Sequence, residues 1–408
     1  MAEPTARAVS APRTGSPLFL AMLGLLFSMV AFPIDFCLPA LPTIGQAFGM
    51  DSRYTQLIIS VTILGYSAAH VPVGMLSDRF GRRLILRCSL LVYLIGAVGS
   101  TVAQSITVLL LSRVLLGVGA TAGPVLARAI VLDVASEAKG VRLLSAGMAI
   151  TSSTLIFMPL LGSQILQLAG WRSILLMTVL HGSVVLAFVQ RFLPETATTT
   201  QHRQHSVWHQ AKRSFRLYFT NPHSLVPTAM LACGFGGFFT FISSGSTIAI
   251  KVYGLSATQY ALLYMLPMGA TALSAVMLRR WVLRHRRRWL ARAAVISFSL
   301  TAAVLAGLAV ANPTPTLWLL WPLIALYCFS YGMLLPMLTT AVLEPLPEIA
   351  GFASSIMGTL QFGMATLMSA IAAFTYAGSA RHMLVLMAGM AALTGLVYAA
   401  GRRAIRLD

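Results

Sequence analysis

The chain has 408 residues, of which 57% are hydrophobic and 10% charged, and its mean hydropathy is +0.81. Soluble proteins carry about 25% charged residues, so the composition excludes a water-facing globule, and the apolar content excludes a disordered chain. The formal charge of +19 would speak for nucleic acid if it formed one patch, but it is divided among the breaks between apolar runs. After a polar segment, 1–16, those runs fall near 17–41, 54–77, 84–104, 106–130, 141–165 and 171–193. They continue near 225–250, 258–280, 290–311, 315–341, 350–376 and 381–401. Crossing a membrane takes about 20 apolar residues in a helix, so the pattern predicts about twelve spanning helices in an all-α polytopic protein. A membrane β-barrel would show alternation over about ten residues, which these runs lack. The first run is too long for a cleaved leader and reads as a retained helix.

Charge fixes the expected orientation. With the N-terminus inside, the loops and tails on that side hold 24 of the 29 basic residues, and the other side holds four, Arg53, Arg172, Lys251 and Arg381. That asymmetry is the positive-inside rule and places both termini in the cytoplasm. Contact with anionic lipid accounts for the excess, and no nucleic-acid partner is expected. The widest polar break, 194–224, separates runs 17–193 from runs 225–401, six on each side, with a short tail at 402–408. Two such halves around a cytoplasmic linker imply a small-molecule site at mid-membrane between them. In the linker, His202, His205 and His209 would share a helical face, but no acid or cysteine completes a metal site. The other reading is a surface helix resting on the membrane through Val207, Trp208, Ala211 and Phe215. The four cysteines, Cys37, Cys88, Cys233 and Cys328, have no paired spacing and read as small apolar residues.

No phosphate loop, HExxH or GxSxG is present, so neither ATP hydrolysis nor another hydrolase chemistry has an anchor, and no cofactor or metal is called for. A carrier without a nucleotide site uses an ion gradient or runs passively. Of the ten acids, only Asp35 lies inside a predicted span, and Arg113 is the one base well inside. Each such charge costs about 2.5–3.5 kcal/mol on insertion scales. Both fall toward the outer side of their spans, so an approach, direct or through water, is geometrically allowed. An ion partner favours the charged form of a carboxyl and burial the neutral one, which is the physics of a proton switch. The alternatives are a structural ion pair, or Asp35 satisfying backbone donors freed near Pro33 and Pro39.

The loop after the second run reads Gly74-Met-Leu-Ser-Asp78-Arg79-Phe-Gly81-Arg82-Arg83. Glycine permits a tight turn there, and Asp78 can accept from a helix start or an arginine. The spacing resembles motif A of the major facilitator superfamily. Further stretches resemble its Bcr/CflA drug-resistance branch of proton antiporters: Asp35-Phe-Cys-Leu-Pro39-Ala-Leu-Pro42, Arg113-Val-Leu-Leu-Gly117-Val-Gly119, Pro159-Leu-Leu-Gly162-Ser163, and Glu344 to Gly351. The chain departs from that branch at Cys37, Leu116, Leu132, Met158 and Ser163, and the second-half copy of motif A is reduced to a basic run around Arg279 to Arg288. The resemblance implies two six-helix bundles, a monomer, a small-molecule substrate exchanged for protons, and coupling through Asp35 and Arg113. It also implies a cytoplasmic latch made by Asp78, Arg79 and Asp133.

Two readings stay open for Pro159, Gly162, Gly234, Gly236 and Gly237, which are either hinges or close packing points. Aromatic side chains expected to meet substrate are Tyr66, Phe235, Phe239, Tyr264, Tyr327 and Phe362. His70 and His181 are expected to be packed and hydrogen-bonded.

Overall fold

The computed structural model of the chain describes residues 16–49, 51, 54–135, 137–196, 207–282, 284 and 286–401. The linker histidines His202 and His205 lie outside these residues, as do the side chains of His209, Trp208 and Leu132. Helix α1 (Pro17–Asp35) starts where Ser16 accepts from the Phe19 amide at 3.3 Å with proline next in line, a standard start signal. It stops at Asp35. The Cys37 amide bonds to the Ile34 carbonyl at 3.1 Å, one residue short of the helical partner Pro33. Pro39 and Pro42 have no N–H to continue the ladder. A 3-10 turn, Leu38–Ala40, therefore intervenes before α2 (Leu41–Ala47).

Helices α3 (Leu57–Phe80) and α4 (Arg82–Val102) meet at Gly81, whose φ of +96° favours glycine. Helices α5 (Ile106–Ala120) and α6 (Ala122–Val134) are joined through Thr121 and act as one span. Then come α7 (Glu137–Ala169), α8 (Trp171–Phe192), the short linker helix α9 (Val207–Phe219) and α10 (Pro222–Thr247), which ends in a π turn, Ile248–Val252. A capping box between Ser256 and Gln259 opens α11 (Ala257–Trp281). The chain closes with α12 (Arg287–Ala311), α13 (Leu317–Leu343), α14 (Ala350–Thr375) and α15 (Arg381–Gly401). Among the described residues 11 helices are long and apolar enough to cross a membrane. The remaining expected span falls on α7, whose apolar part among the described residues is the shorter stretch Ser153–Ala169.

The burial pattern is that of a protein in lipid. Leu111, Leu168, Val310, Trp318 and Leu396 point outward, while Asp35, Arg113 and many serines and threonines are inside. Among the described residues two large apolar cores form, beside a small cluster of Cys233, Met368 and Met390. One, around Phe19, Leu23, Tyr93 and Leu126, belongs to the first half. The other holds the second half together and also takes in Phe36, Leu41, Ile44, Ile58 and Ile174 of the first. The halves are therefore fused at the sparsely charged end, that of Arg172 and Lys251, and keep separate cores toward the basic end.

Hydrogen bonds that cross the fused end join Ser246 Oγ to the Leu38 carbonyl (2.5 Å) and Ser244 Oγ to Gln56 (2.9 Å). Others pair Thr55 with Thr247 (3.3 Å) and Ser60 with Ser369 (2.6 Å). Within the first half, α3 and α5 touch backbone to backbone. A Cβ on Gly65 would strike the Val114 carbonyl, and one on Gly117 the Thr62 carbonyl.

Candidate transport site

The break after α1 places two ionisable groups in the interior. Asp35 is 1% exposed, and its Oδ1 accepts from Tyr264 Oη of α11 at 3.2 Å, so the bond crosses from one half to the other. Its Oδ2 has no partner, and neither has the hydroxyl of Tyr260, one turn before Tyr264 on α11. The Tyr264 ring stacks on Phe241 with centroids 5.7 Å apart.

Arg113, also 1% exposed, does not pair with Asp35, and no Asp35–Arg113 ion pair within 4.0 Å exists. Its Nη1 donates to the Pro33 carbonyl at 3.3 Å and its Nη2 to Cys37 Sγ at 3.2 Å. The reason lies in the backbone. Because Cys37 N–H turns to Ile34, the Pro33 carbonyl has lost its helical donor, and a buried carbonyl needs one. The guanidinium fills that vacancy. Arg113 thus meets a freed carbonyl, whereas the Asp35 carboxylate accepts from Tyr264 and not from a freed backbone N–H.

At the basic end the motif loop folds around Arg82. Its guanidinium contacts Asp78 closely and donates to Ser77 Oγ at 2.7 Å and to Asp133 Oδ2 at 3.2 Å. The expected latch used Arg79, but that side chain is exposed and lies over the Phe80 ring at 5.2 Å. Arg82 lies three positions after Arg79. Past the Gly81 turn the later arginine faces inward, and the earlier one, on the last turn of α3, faces out. Arg83 donates to the Gln190 carbonyl at 2.9 Å. Glu195 accepts from the amides of Arg82 (2.8 Å) and Arg83 (3.2 Å), capping α4 from the far end of α8. Sequence reasoning missed that role, because nothing local marks a cap supplied from more than a hundred residues away. Gly74 faces Ser355 of α14, where an added Cβ would stand 3.2 Å from its Oγ.

Gly162 is a packing point: a Cβ there would strike the Phe36 carbonyl, in the turn that holds Asp35. Pro159 lies inside α7, one turn earlier. In α10, Gly234 faces the Tyr331 ring, Gly236 the methionines Met364, Met368 and Met390, and Gly237 the Tyr327 hydroxyl. These are contacts of small residues with large side chains, the packing reading.

The aromatic candidates divide. Tyr66, Phe362 and Phe235 form a chain across the interface, with centroids 4.4 Å and 5.0 Å apart, and Phe239 adjoins Phe235 at 5.5 Å. Tyr264 belongs to Asp35. Tyr327 is buried within the second half, against Phe298 at 4.4 Å, with its hydroxyl on the Met387 carbonyl. His181 is packed as expected, 3.0 Å from Ser28 Oγ and stacked on Phe32. His70 joins the interface aromatics through Phe362, but its Nδ1 has no partner. Arg128, counted with the cytoplasmic loops although it lies at the end of the run 106–130, is carried by α6 inside the span Ile106–Val131. It lies seven positions after Thr121, whose hydroxyl donates to the Tyr66 carbonyl at 3.1 Å.

A bundle of spanning helices in two packed halves, with an isolated acid where they meet, defines a membrane carrier. The chain belongs to the major facilitator superfamily, whose family model matches residues 20–369, and is thus a multi-pass membrane transporter. Multidrug resistance protein D of Escherichia coli (strain K12) is 25% identical over 379 residues, 90% of this chain and 92% of that protein. A bicyclomycin resistance protein homolog of Haemophilus influenzae is 23% identical over 399 residues, 93% and 95% of the two chains. Among solved structures, a D-xylose-proton symporter shares the fold, with a TM-score of 0.73 at 14% identity over 95% of this chain and 98% of that one.

Proposed function

We propose that the protein is a proton-coupled exporter of small amphipathic compounds in the bacterial cytoplasmic membrane, working as a monomer by alternating access. The moving units are the halves 17–193 and 225–401, joined by the linker 194–224, with both termini and the basic end in the cytoplasm. The observation that carries the reading is the Asp35–Tyr264 bond between the halves, with Asp35 Oδ2 unpartnered. An unpaired buried carboxylate costs several kcal/mol, so the sealed arrangement suits the neutral acid.

The cycle follows from that preference. With the outer end open, a proton from outside neutralises Asp35, and only then can α11 close over it and Tyr264 donate. Substrate enters from the cytoplasmic end against Tyr66, Phe235, Phe239 and Phe362, and the proton leaves inward. An ionised Asp35 makes the outer seal unfavourable. As Tyr264 withdraws, Arg113, now holding only a carbonyl and a thiol, is the nearest cation to receive the carboxylate. The outer end opens and the substrate departs. One proton moving down 100 mV supplies about 2.3 kcal/mol, enough for a roughly fiftyfold gradient. The drug-resistance names of the bacterial relatives support export.

The test compares the wild type with Asp35→Asn at equal membrane levels in an efflux-deficient bacterial host. Susceptibility is measured to uncharged, monocationic and dicationic compounds, followed by proton exchange in inverted vesicles. Protection that disappears in the variant is expected. Full activity without Asp35 would sink the proton site, and absence of protection by the wild type would transfer the assignment to a dedicated metabolite transporter.

A further inference from the structure

The second half repeats the position of the Arg82 loop between α11 and α12, but not its chemistry. From Thr196 to Leu343 the chain contains no acidic residue. Among the described residues Arg279, Arg280, Arg284, Arg286 and Arg292 accordingly take part in no ion pair. The start of α12 has no side-chain cap and no acid in its first turn, whereas α4, its counterpart, is capped by Glu195. Where the first half places carboxylates, the second has a cleft of about 560 Å³ walled by Trp281, Arg284, Arg286 and Trp289.

The cleft lies between the end of the span Ala257–Trp281 and the start of the span Arg288–Ala311, which is the level of the membrane surface. Trp289 is 70% exposed, and tryptophan is enriched at that level. From it an outward-facing stripe of α12 continues at helical spacing through Ala293, Ile296, Leu300 and Val304 into the bilayer. Arginine binds phosphate through paired N–H groups, and an apolar stripe leading away from such a site fits an acyl chain.

We propose that this cleft binds an anionic phospholipid, its phosphate held by Arg284 and Arg286, its glycerol region between Trp281 and Trp289, and one chain along the α12 stripe. The lipid supplies the second half with the counter-charge that Asp78, Asp133 and Glu195 supply to the first. The apolar stripe separates a lipid from free phosphate, which would use the arginines alone.

The test uses the full-length protein in neutral detergent at about 0.3 M salt, where diffuse surface attraction is screened. Phosphatidylglycerol, phosphatidylcholine and inorganic phosphate are titrated separately, reading retained adducts by native mass spectrometry and the shift of the unfolding midpoint. Phosphatidylglycerol alone is expected to bind. R284Q/R286Q should weaken it by at least about tenfold, and Trp289→Ala by less. R279Q/R280Q, with the same loss of charge outside the cleft, should weaken it by under about threefold. Unchanged midpoints without lipid show that the variants fold. Equal losses in the two double variants, or equal stabilisation by inorganic phosphate, would overturn the proposal. So would undiminished binding by R284Q/R286Q.

Discussion

At the sparsely charged end, Ser244, Ser246 and Thr247 of α10 reach across to Gln56, the Leu38 carbonyl and Thr55. At the basic end, Arg82 gathers Ser77, Asp78 and Asp133, all from its own half. The first set is neutral and joins bodies that part in the proposed cycle; the second is charge-assisted and joins elements that stay together in it. A neutral hydrogen bond is worth about 1 kcal/mol net because water replaces it readily, so a seal of hydroxyls opens when water enters. Charged pairs are roughly twice as strong and suit a part that moves as one piece.

The sharpest way to break this contrast is Arg82→Gln. It removes one donor from two carboxylates and should cost about 2 kcal/mol, read as a lower unfolding midpoint in detergent. Ser246→Ala should leave that midpoint in place and act on the opening of the seal instead. Losing about 1 kcal/mol makes the open form roughly fivefold more populated. Cys37 lies beneath the seal and Cys88 is exposed, so in a Cys88→Ser background an impermeant maleimide added outside should label Cys37 correspondingly faster. An equal fall in midpoint for both variants would erase the distinction. The smallest effect is expected for Arg79→Gln, within about 0.5 kcal/mol, since Arg79 is exposed and lies over the Phe80 ring. A loss as large as that of Arg82→Gln would restore the latch inferred from the motif.

The spans, the basic loop and the two buried charges were legible because each is a local or compositional signal: an apolar run, a glycine with flanking charges, an isolated ionisable residue among leucines. Their partners were not. Tyr264 lies 229 positions from Asp35, and no period or spacing connects them. Arg113 and Asp35 looked like natural partners by depth, yet the break at Pro33 offered Arg113 a nearer acceptor. Arg128 was hidden because it falls at the end of the run 106–130 and was counted with the cytoplasmic loops, whereas α6 continues past it to Val134.

The backbone contacts at Gly65 and Gly117 set which positions in the first half can change over generations. At these two glycines even one methyl group meets a neighbouring carbonyl, so α3 and α5 admit no drift along their seam. Phe235 and Phe362 instead meet ring to ring across the interface, with Phe239 beside Phe235, and such a side-chain contact accepts a different ring or aliphatic group more readily than a backbone contact accepts a methyl. Along the proposed substrate path, selection for a new compound can therefore change these rings one residue at a time, while the seam between α3 and α5 tolerates no such change.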